Sequence, residues 1–153
     1  MSCFGLTLSL GTGKTRVITS LISLLLHTCP TKTILVTAPT HQAVDTILKQ
    51  FLQAHERNPD FKPSRRKLVR IGTRDTVDPA HWPYLPYNTV NDVETLDKRV
   101  YYSSIVFSTT LSAGVGVLAT CKFDTVIVDE AAQVSNAPHT LQLQRQRTNC
   151  SCR

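Results

Sequence analysis

The strongest constraint on the fold of this chain is a short glycine-containing segment near its start. Residues 8–15 read Leu-Ser-Leu-Gly-Thr-Gly-Lys-Thr, with an apolar run before them and a helix-forming apolar pattern after them. A buried strand that turns into a helix through Gly-Thr-Gly-Lys-Thr is the context that a phosphate-binding P-loop requires. We therefore expect a strand over residues 4–8 and a helix over residues 14–27.

The chemistry of such a loop depends on its backbone and on two side chains. Successive N–H groups around Gly11 and Gly13 can form an anion-binding nest, and the following helix adds its positive N-terminus. Lys14 would reach the β- and γ-phosphates, and the Thr15 hydroxyl would hold Mg²⁺. The full pattern places glycine five residues before Gly13, whereas this chain has Leu8 there. The alternative interpretation is a simple glycine turn before a helix.

A second segment reduces that ambiguity. Residues 124–133 read Asp-Thr-Val-Ile-Val-Asp-Glu-Ala-Ala-Gln, a β-branched run that ends in two carboxylates, Asp129 and Glu130. Continuous apolar strands are typical of parallel sheets that are covered on both faces. Ligands of such sheets bind beyond the carboxyl ends of the strands. The glycine segment and the carboxylates can therefore converge on one nucleotide.

The rest of the chain predicts alternating strands and helices, the pattern of a parallel α/β layer. Buried strands are expected over 33–38, 68–71, 104–108 and 124–129, and helices over 41–54 and through 93–100. Residues 55–67 are polar and basic, so we expect a solvated loop there. Residues 73–89 contain three prolines and show no period, which indicates irregular structure, and 109–116 reads as a small-residue turn.

Composition narrows the function classes. The chain has 153 residues and a formal charge of +6, which favours polyanionic partners. Its five cysteines are odd in number and contain no CxxC pair, so neither a zinc site nor a disulfide framework follows, and a reducing compartment is the simpler expectation. The apolar stretch 17–26 is too short to span a bilayer. We expect an intracellular protein, nuclear or cytoplasmic, without a membrane segment.

Aromatic residues in the proline-containing segment leave two interpretations open. Trp82, Tyr84 and Tyr87 lie close to a basic loop. Single-strand binding proteins combine basic grooves with exposed rings on which bases stack. The other interpretation is that these rings pin a long loop to the body of the domain.

Four motifs stand out in the sequence, at residues 11–15, 37–40, 109–114 and 129–133. Taken together, they resemble those of superfamily 1 DNA/RNA helicases, and most closely the branch of the nonsense-mediated-decay helicase and senataxin. The resemblance covers residues 4–138 and implies a RecA-like P-loop domain, with an irregular basic and proline-rich insert over about 55–91. Residues 139–153 would be a disordered tail. The second RecA-like domain of the family is absent, so the chain would be a truncated form.

The resemblance also implies ligands and roles. ATP and Mg²⁺ would be the cofactors, with Asp129 in the metal sphere beside Thr15, and with Glu130 positioning and deprotonating the attacking water. Glu130, Lys14 and Asp129 would form the catalytic set. The nucleotide-binding residues would be Gly11, Thr12, Gly13, Lys14, Thr15 and Gln133. Thr40, His41 and Thr110 fall where the family contacts the nucleic-acid backbone, and His41 stands where the family usually has asparagine.

Two functions from different classes follow. The first is the ATP-binding part of a helicase, which couples ATP hydrolysis to translocation or unwinding in the full-length form. The second is an ATP-binding module for nucleic acid or a partner protein, with little or no turnover. A small P-loop kinase fits less well, since it does not require a glutamate directly after Asp129. The expected partners are single-stranded RNA or DNA and other helicase-complex proteins.

Overall fold

The computed structural model of the chain describes residues 13–56, 67–86 and 93–129, without the side chains of 93–96. Several predictions lie outside these residues: the strand over 4–8, the tail over 139–153, and the site residues Gly11, Thr12, Glu130 and Gln133.

Helices and strands alternate along the described chain. The helices are α1 (Lys14–Thr28), α2 (His41–Glu56), α3 (Val93–Tyr101), α4 (Thr110–Ala113) and α5 (Gly116–Thr120), with a 3-10 helix at Pro79–Tyr84. The strands are β1 (Ile34–Ala38), β2 (Leu68–Arg70), β3 (Ile105–Thr109) and β4 (Thr125–Val128).

The four strands form one sheet in the order β2-β3-β1-β4, and every pair is parallel. Val36 in the middle of β1 is opposite Phe107 of β3 on one side and Ile127 of β4 on the other. All five residues of β1 and of β3 are buried. The α/β class with a parallel sheet between helices, predicted from the apolar runs and from the RecA-like resemblance, is confirmed.

Each face of the sheet is covered by apolar side chains from helices. The apolar stripes of α1 and α2, including Ile22 and Phe51, pack on the face formed by Val36, Phe107 and Ile127. The opposite face is covered by side chains from α3, α4, α5 and the segment before β4: Val100, Ala113, Leu118 and Phe123. Burial on both faces explains why β1 and β3 are nearly continuous apolar runs.

The connections place helix N-termini and strand C-termini at the same edge of the sheet. α2 begins at His41, directly after β1, and α4 begins immediately after β3. α1 ends at Thr28, shortly before β1 begins, so it runs antiparallel to the strands and its N-terminus lies at their carboxyl ends. We call this the carboxyl edge, the edge at which ligands of open α/β sheets bind.

Three local predictions were wrong. Irregular structure was expected over 73–89, but Pro79–Tyr84 is a 3-10 helix because Asp78 caps it, accepting a hydrogen bond of 2.8 Å from Ala80 N. The turn expected over 109–116 contains α4, capped by the Thr109 side chain, and the start of α5. His55 was assigned to a solvated loop, yet it is a buried residue of α2 whose ring lies 4.0 Å from that of Phe51.

Within the described residues, no helix is long and apolar enough to cross a membrane.

Candidate functional site at the carboxyl edge

Gly13, directly before α1, has one backbone feature that is expected of a phosphate loop. Gly13 is left-handed, with φ 72° and ψ 24°, and its carbonyl accepts hydrogen bonds from Arg16 N and Val17 N. A side chain at this position would be strained by the positive φ although it would meet no neighbour within 4 Å. Alternation of left- and right-handed residues turns successive N–H groups toward one point, where an anion can bind.

The electrostatics of this helix end also favour an anion. The first turn of α1 contains no acidic residue, and no side chain from the described residues caps it. Lys14 and Thr15, the predicted phosphate and Mg²⁺ ligands, are partly exposed there. The helix dipole adds partial positive charge at the same end. The end of α1 can therefore accept a phosphate.

Asp129 lies at the carboxyl edge directly after β4. Its N–H donates to Thr37 O at 2.8 Å, which extends the β4–β1 ladder by one step. The carboxylate of Asp129 is thus held at the same edge as the N-terminus of α1. Glu130 and Gln133 follow it and lie outside the described residues.

The predicted nucleic-acid contacts differ in accessibility. Thr40 is exposed, and its hydroxyl oxygen accepts a hydrogen bond of 3.1 Å from Ala43 N, which caps α2. His41 is partly buried at the first position of α2. Thr110 is only 6 % exposed, and its buried hydroxyl has no partner within the described residues. Contact through the Thr110 hydroxyl stays a prediction, and it requires this group to become exposed.

Next to His41 lies a buried polar cluster that the sequence analysis missed: Asp45, Arg70 and His81. Arg70 is fully buried, and its Nε donates to Asp45 Oδ1 at 2.8 Å. Asp45 Oδ2 accepts a hydrogen bond of 3.1 Å from Asp78 N. His81 Nδ1 is 3.5 Å from Asp45 Oδ1, beyond normal hydrogen-bond length. Asp45 therefore joins α2, β2 and the 3-10 segment.

The remaining nitrogens of Arg70 face the start of α2. Nη1 donates to the carbonyl of Ile71, and Nη2 lies 3.2 Å from His41 Nδ1 and 3.4 Å from His41 O. A buried charge is tolerated only when it is paired and hydrogen-bonded in this way.

These contacts shift three pKa values. Burial raises the pKa of Asp45, but the contacts with His81, Arg70 and Asp78 N outweigh it and lower that pKa to about 2. Burial lowers the pKa of His41, the charge of Arg70 lowers it further, and Asp45 opposes both. Burial also lowers the pKa of Arg70, against the stabilising effect of Asp45. An arginine nevertheless stays protonated in proteins.

The aromatic residues of the proline-containing segment hold it in place. Trp82 Nε1 donates to Val77 O at 3.1 Å, and the Arg74 guanidinium lies 5.2 Å from the centre of the Trp82 ring. Tyr84 packs on the core cluster beneath α1 and α2. These contacts favour loop anchoring over base stacking, and Tyr87 lies outside the described residues.

Comparison with known proteins identifies the family. A sequence model of the AAA domain family matches residues 9–100 and 90–150, which is nearly the whole chain. The chain belongs to this family of superfamily 1 helicases. The superfamily predicted from residues 11–15 and 129–133 is thereby confirmed.

Two relatives of this helicase-family chain are yeast proteins. It is 34% identical over 129 residues to the DNA replication ATP-dependent helicase/nuclease DNA2 of Saccharomyces cerevisiae, and 32% identical over 126 residues to dna2 of Schizosaccharomyces pombe. These alignments cover 82% and 81% of the chain but only 8% of each relative. The predicted branch, that of the nonsense-mediated-decay helicase and senataxin, is not confirmed by these relatives.

A cavity of about 760 Å³ lies at the opposite end of the strands in this helicase-family domain. It is bounded by α3, α5 and residues just before β1 and β4, among them Tyr102 and Cys121. None of the predicted site residues that the structure describes lines it. Its position separates it from the carboxyl edge.

Proposed function

We propose that this chain is the ATP-binding part of a helicase, which in the full-length protein couples ATP hydrolysis to translocation along nucleic acid or to unwinding. The observation that carries the proposal is the start of α1, where Gly13 is left-handed and the first turn contains no acidic residue. This helix end lies at the same edge of the sheet as Asp129. Membership of a superfamily 1 helicase family supports it. The proposed ATP-binding domain spans residues 4–138, with its basic and proline-rich insert over about 55–91.

In the proposed site, Lys14 and the backbone of residues 11–15 hold the phosphates, and Gln133 contributes to nucleotide binding. Thr15 and Asp129 hold Mg²⁺, which neutralises phosphate charge when it is bound. Glu130 orients a water molecule in line with the γ-phosphate and accepts its proton. Catalysis then rests on positioning and on charge stabilisation by Lys14.

We also propose a single-stranded RNA or DNA contact at the start of α2, where Thr40 and His41 are accessible at the carboxyl edge. The net charge of +6 supports a polyanionic partner. The names of the two yeast relatives describe them as DNA replication helicase/nucleases. Thr110 joins this contact only if its hydroxyl becomes exposed. Other helicase-complex proteins and a nuclear or cytoplasmic location are part of the same proposal.

Loss of the Lys14 charge tests the nucleotide site. Lys14→Ala should weaken binding of a fluorescent Mg²⁺-ATP analogue by about 10- to 100-fold, because a charge-assisted hydrogen bond contributes about 1.5–3 kcal/mol. Lys32→Ala is the matched control, since Lys32 is an exposed lysine in the turn before β1. Its affinity should equal that of the wild type. Equal affinities for all three proteins would contradict the proposed site.

The second candidate function is an ATP-binding module with little or no turnover. Leu8 favours it, because a side chain stands where the phosphate-loop pattern has glycine. This candidate predicts the same loss of ATP binding in Lys14→Ala, but it predicts little or no ATP hydrolysis.

A further inference from the structure

The ring of His41 is held in one protonation state by its neighbour. Arg70 Nη2 lies 3.2 Å from His41 Nδ1. A guanidinium has only N–H donors and no acceptor, and it does not deprotonate in proteins. His41 Nδ1 must therefore accept this hydrogen bond through its lone pair. A histidine with an unprotonated Nδ1 is neutral and carries its proton on Nε2.

The position of Arg70 does not depend on His41 alone. Its Nε is bonded to Asp45 Oδ1, Nη1 to the carbonyl of Ile71, and Nη2 also to His41 O. Arg70 is fully buried, so water cannot replace these partners. The orientation of the guanidinium is thus fixed by α2 and β2, and the tautomer of His41 follows from the fold before any ligand binds.

The other ring nitrogen remains available. Within the described residues, His41 Nε2 has no hydrogen-bond partner, and it is not among the buried atoms that lack one. The ring edge is confined on one side by Gly72, where an added Cβ would lie 3.5 Å from His41 Cε1. An Nε2–H group at this position can donate to a phosphate oxygen without adding a positive charge.

We infer that His41 binds single-stranded nucleic acid as a neutral hydrogen-bond donor through Nε2–H, and that Arg70 and Asp45 are positioning residues that fix this tautomer. The inference rests on the proposed nucleic-acid contact at the start of α2. Within that contact, His41 supplies one uncharged hydrogen-bond donor to a phosphate oxygen. The strength of this hydrogen bond should not depend on pH near neutrality.

The groups around His41 agree with this assignment. They are Asp45 on the same helix, Arg70 on β2, and His81 and Asp78 of the 3-10 segment behind Asp45. The positive charge of Arg70 is the one in hydrogen-bond contact with the ring. It disfavours a second positive charge there, in the direction already given for the pKa of His41.

The tautomer can be observed directly in the full chain. Long-range ¹H–¹⁵N correlation spectra of histidine-labelled protein distinguish protonated from unprotonated ring nitrogens, and His41→Asn assigns the signal. We expect Nδ1 of His41 unprotonated and Nε2 protonated from pH 8 to pH 6. A protonated Nδ1 at neutral pH would overturn the inference, whether or not nucleic acid binds.

Binding to a single-stranded oligonucleotide tests the functional half. The quantity measured is the affinity of the wild type divided by that of His41→Asn. Asparagine keeps a neutral hydrogen-bond donor at this position. The pH dependence caused by the other histidines is the same in both proteins and cancels in the ratio. We expect this ratio to stay constant from pH 8 to pH 6, and the slope of log K against log[salt] to be equal for both proteins. A ratio that rises as the pH falls would show a charged contact and overturn the inference.

A charge-neutral double variant tests the positioning role. Asp45→Asn with Arg70→Met removes the donor to Nδ1 without leaving a buried unpaired charge. His41 should then become protonated as the pH falls and form an ion pair with a phosphate. The affinity of the double variant divided by that of the same variant with His41→Asn should therefore rise by up to about fivefold from pH 8 to pH 6, the size expected for an exposed ion pair. A flat ratio in the folded double variant would contradict the role of Arg70. If this variant does not fold, the wild-type spectra still decide the tautomer.

The two proposals fail in different ways. Absence of oligonucleotide binding by every variant would overturn the proposed nucleic-acid contact and the ligand assigned to Nε2–H. The spectra of the unbound chain would still report the tautomer. Binding with a protonated Nδ1 would leave the proposed contact in place and overturn only the neutral-donor assignment.

Discussion

At the scale of single residues, Asp45 joins three parts of the structure. It is 9 % exposed and holds together α2, Arg70 of β2 and the N–H of Asp78. The sequence contained a signal for it: Asp45 lies beside the apolar stripe of α2, and Arg70 ends an apolar run. A charge buried among such apolar side chains needs a partner of opposite sign. The contact between Asp45 and Arg70 could not be predicted, because the order of strands sets which residues meet.

Removal of Asp45 leaves Arg70 buried without its carboxylate partner. Asp45→Ala should therefore lower the free energy of unfolding by about 3–5 kcal/mol in urea titrations at pH 7. Asp75→Ala is the matched control, since Asp75 is exposed in the turn after Gly72, and it should change stability by less than about 0.5 kcal/mol. Similar losses for both variants would contradict a special role of Asp45.

The contribution of Asp45 to the free energy of unfolding should decrease at acidic pH. The pKa of Asp45 is about 2 in the folded state against 3.8 in a model peptide, so the unfolded chain binds more protons between these values. The contribution is fully present above pH 4 and is lost as the pH falls toward 2, and it amounts to about 2 kcal/mol. The lowered pKa of His41 acts in the same direction below its model value of 6.5. Asp45→Ala should lack the loss that occurs between pH 4 and 2.

At the scale of elements, apolar periodicity predicted the long helices and the core strands well. α1 and α2 begin at the predicted residues, β1 and β4 fall within the predicted ranges, and β3 ends one residue beyond its predicted range. The 3-10 helix, α4 and α5 were missed because they are too short to show a period, and local caps such as Asp78 and Thr109 stabilise them. The site was predicted only as motifs, and its backbone shape at Gly13 required the structure.

Two residues of α1 test which side of this helix the sheet covers. Ile22 is fully buried, whereas Leu24 is 57 % exposed. Ile22→Ala should lower the free energy of unfolding by about 2–5 kcal/mol because it leaves a cavity between α1 and the sheet. Leu24→Ala removes a similar volume from the surface and should have an effect below about 0.5 kcal/mol. Equal losses in denaturant titrations would contradict the packing of α1.

At the scale of the whole molecule, the chain spans 8% of the length of each yeast relative. The resemblance places the arginines that stabilise the transition state in a second RecA-like domain. Arginine fingers of related enzymes contribute about 10³–10⁵ in rate. We therefore expect this chain alone to hydrolyse ATP very slowly and not to unwind a duplex.

Phosphate-release assays with and without single-stranded nucleic acid measure this turnover. Glu130→Gln should retain ATP binding and lose the remaining hydrolysis, since it alters the group that accepts the proton of water. Asp129→Ala should weaken Mg²⁺-dependent binding as well. Rapid turnover by the purified chain, stimulated by nucleic acid, would contradict the expectation and indicate that a second copy or another protein completes the site.

The strand order also has a consequence for biosynthesis. β3 lies between β2 and β1, although it follows both in sequence. During translation, β1 and β2 are therefore made before the strand that joins them, and no two neighbours of the described sheet can form a local hairpin. Sheets built from strands that are distant in sequence fold slowly, and their strand edges stay unpaired until the partner strand is available. The nascent chain should thus need protection from aggregation until residues 105–109 have left the ribosome.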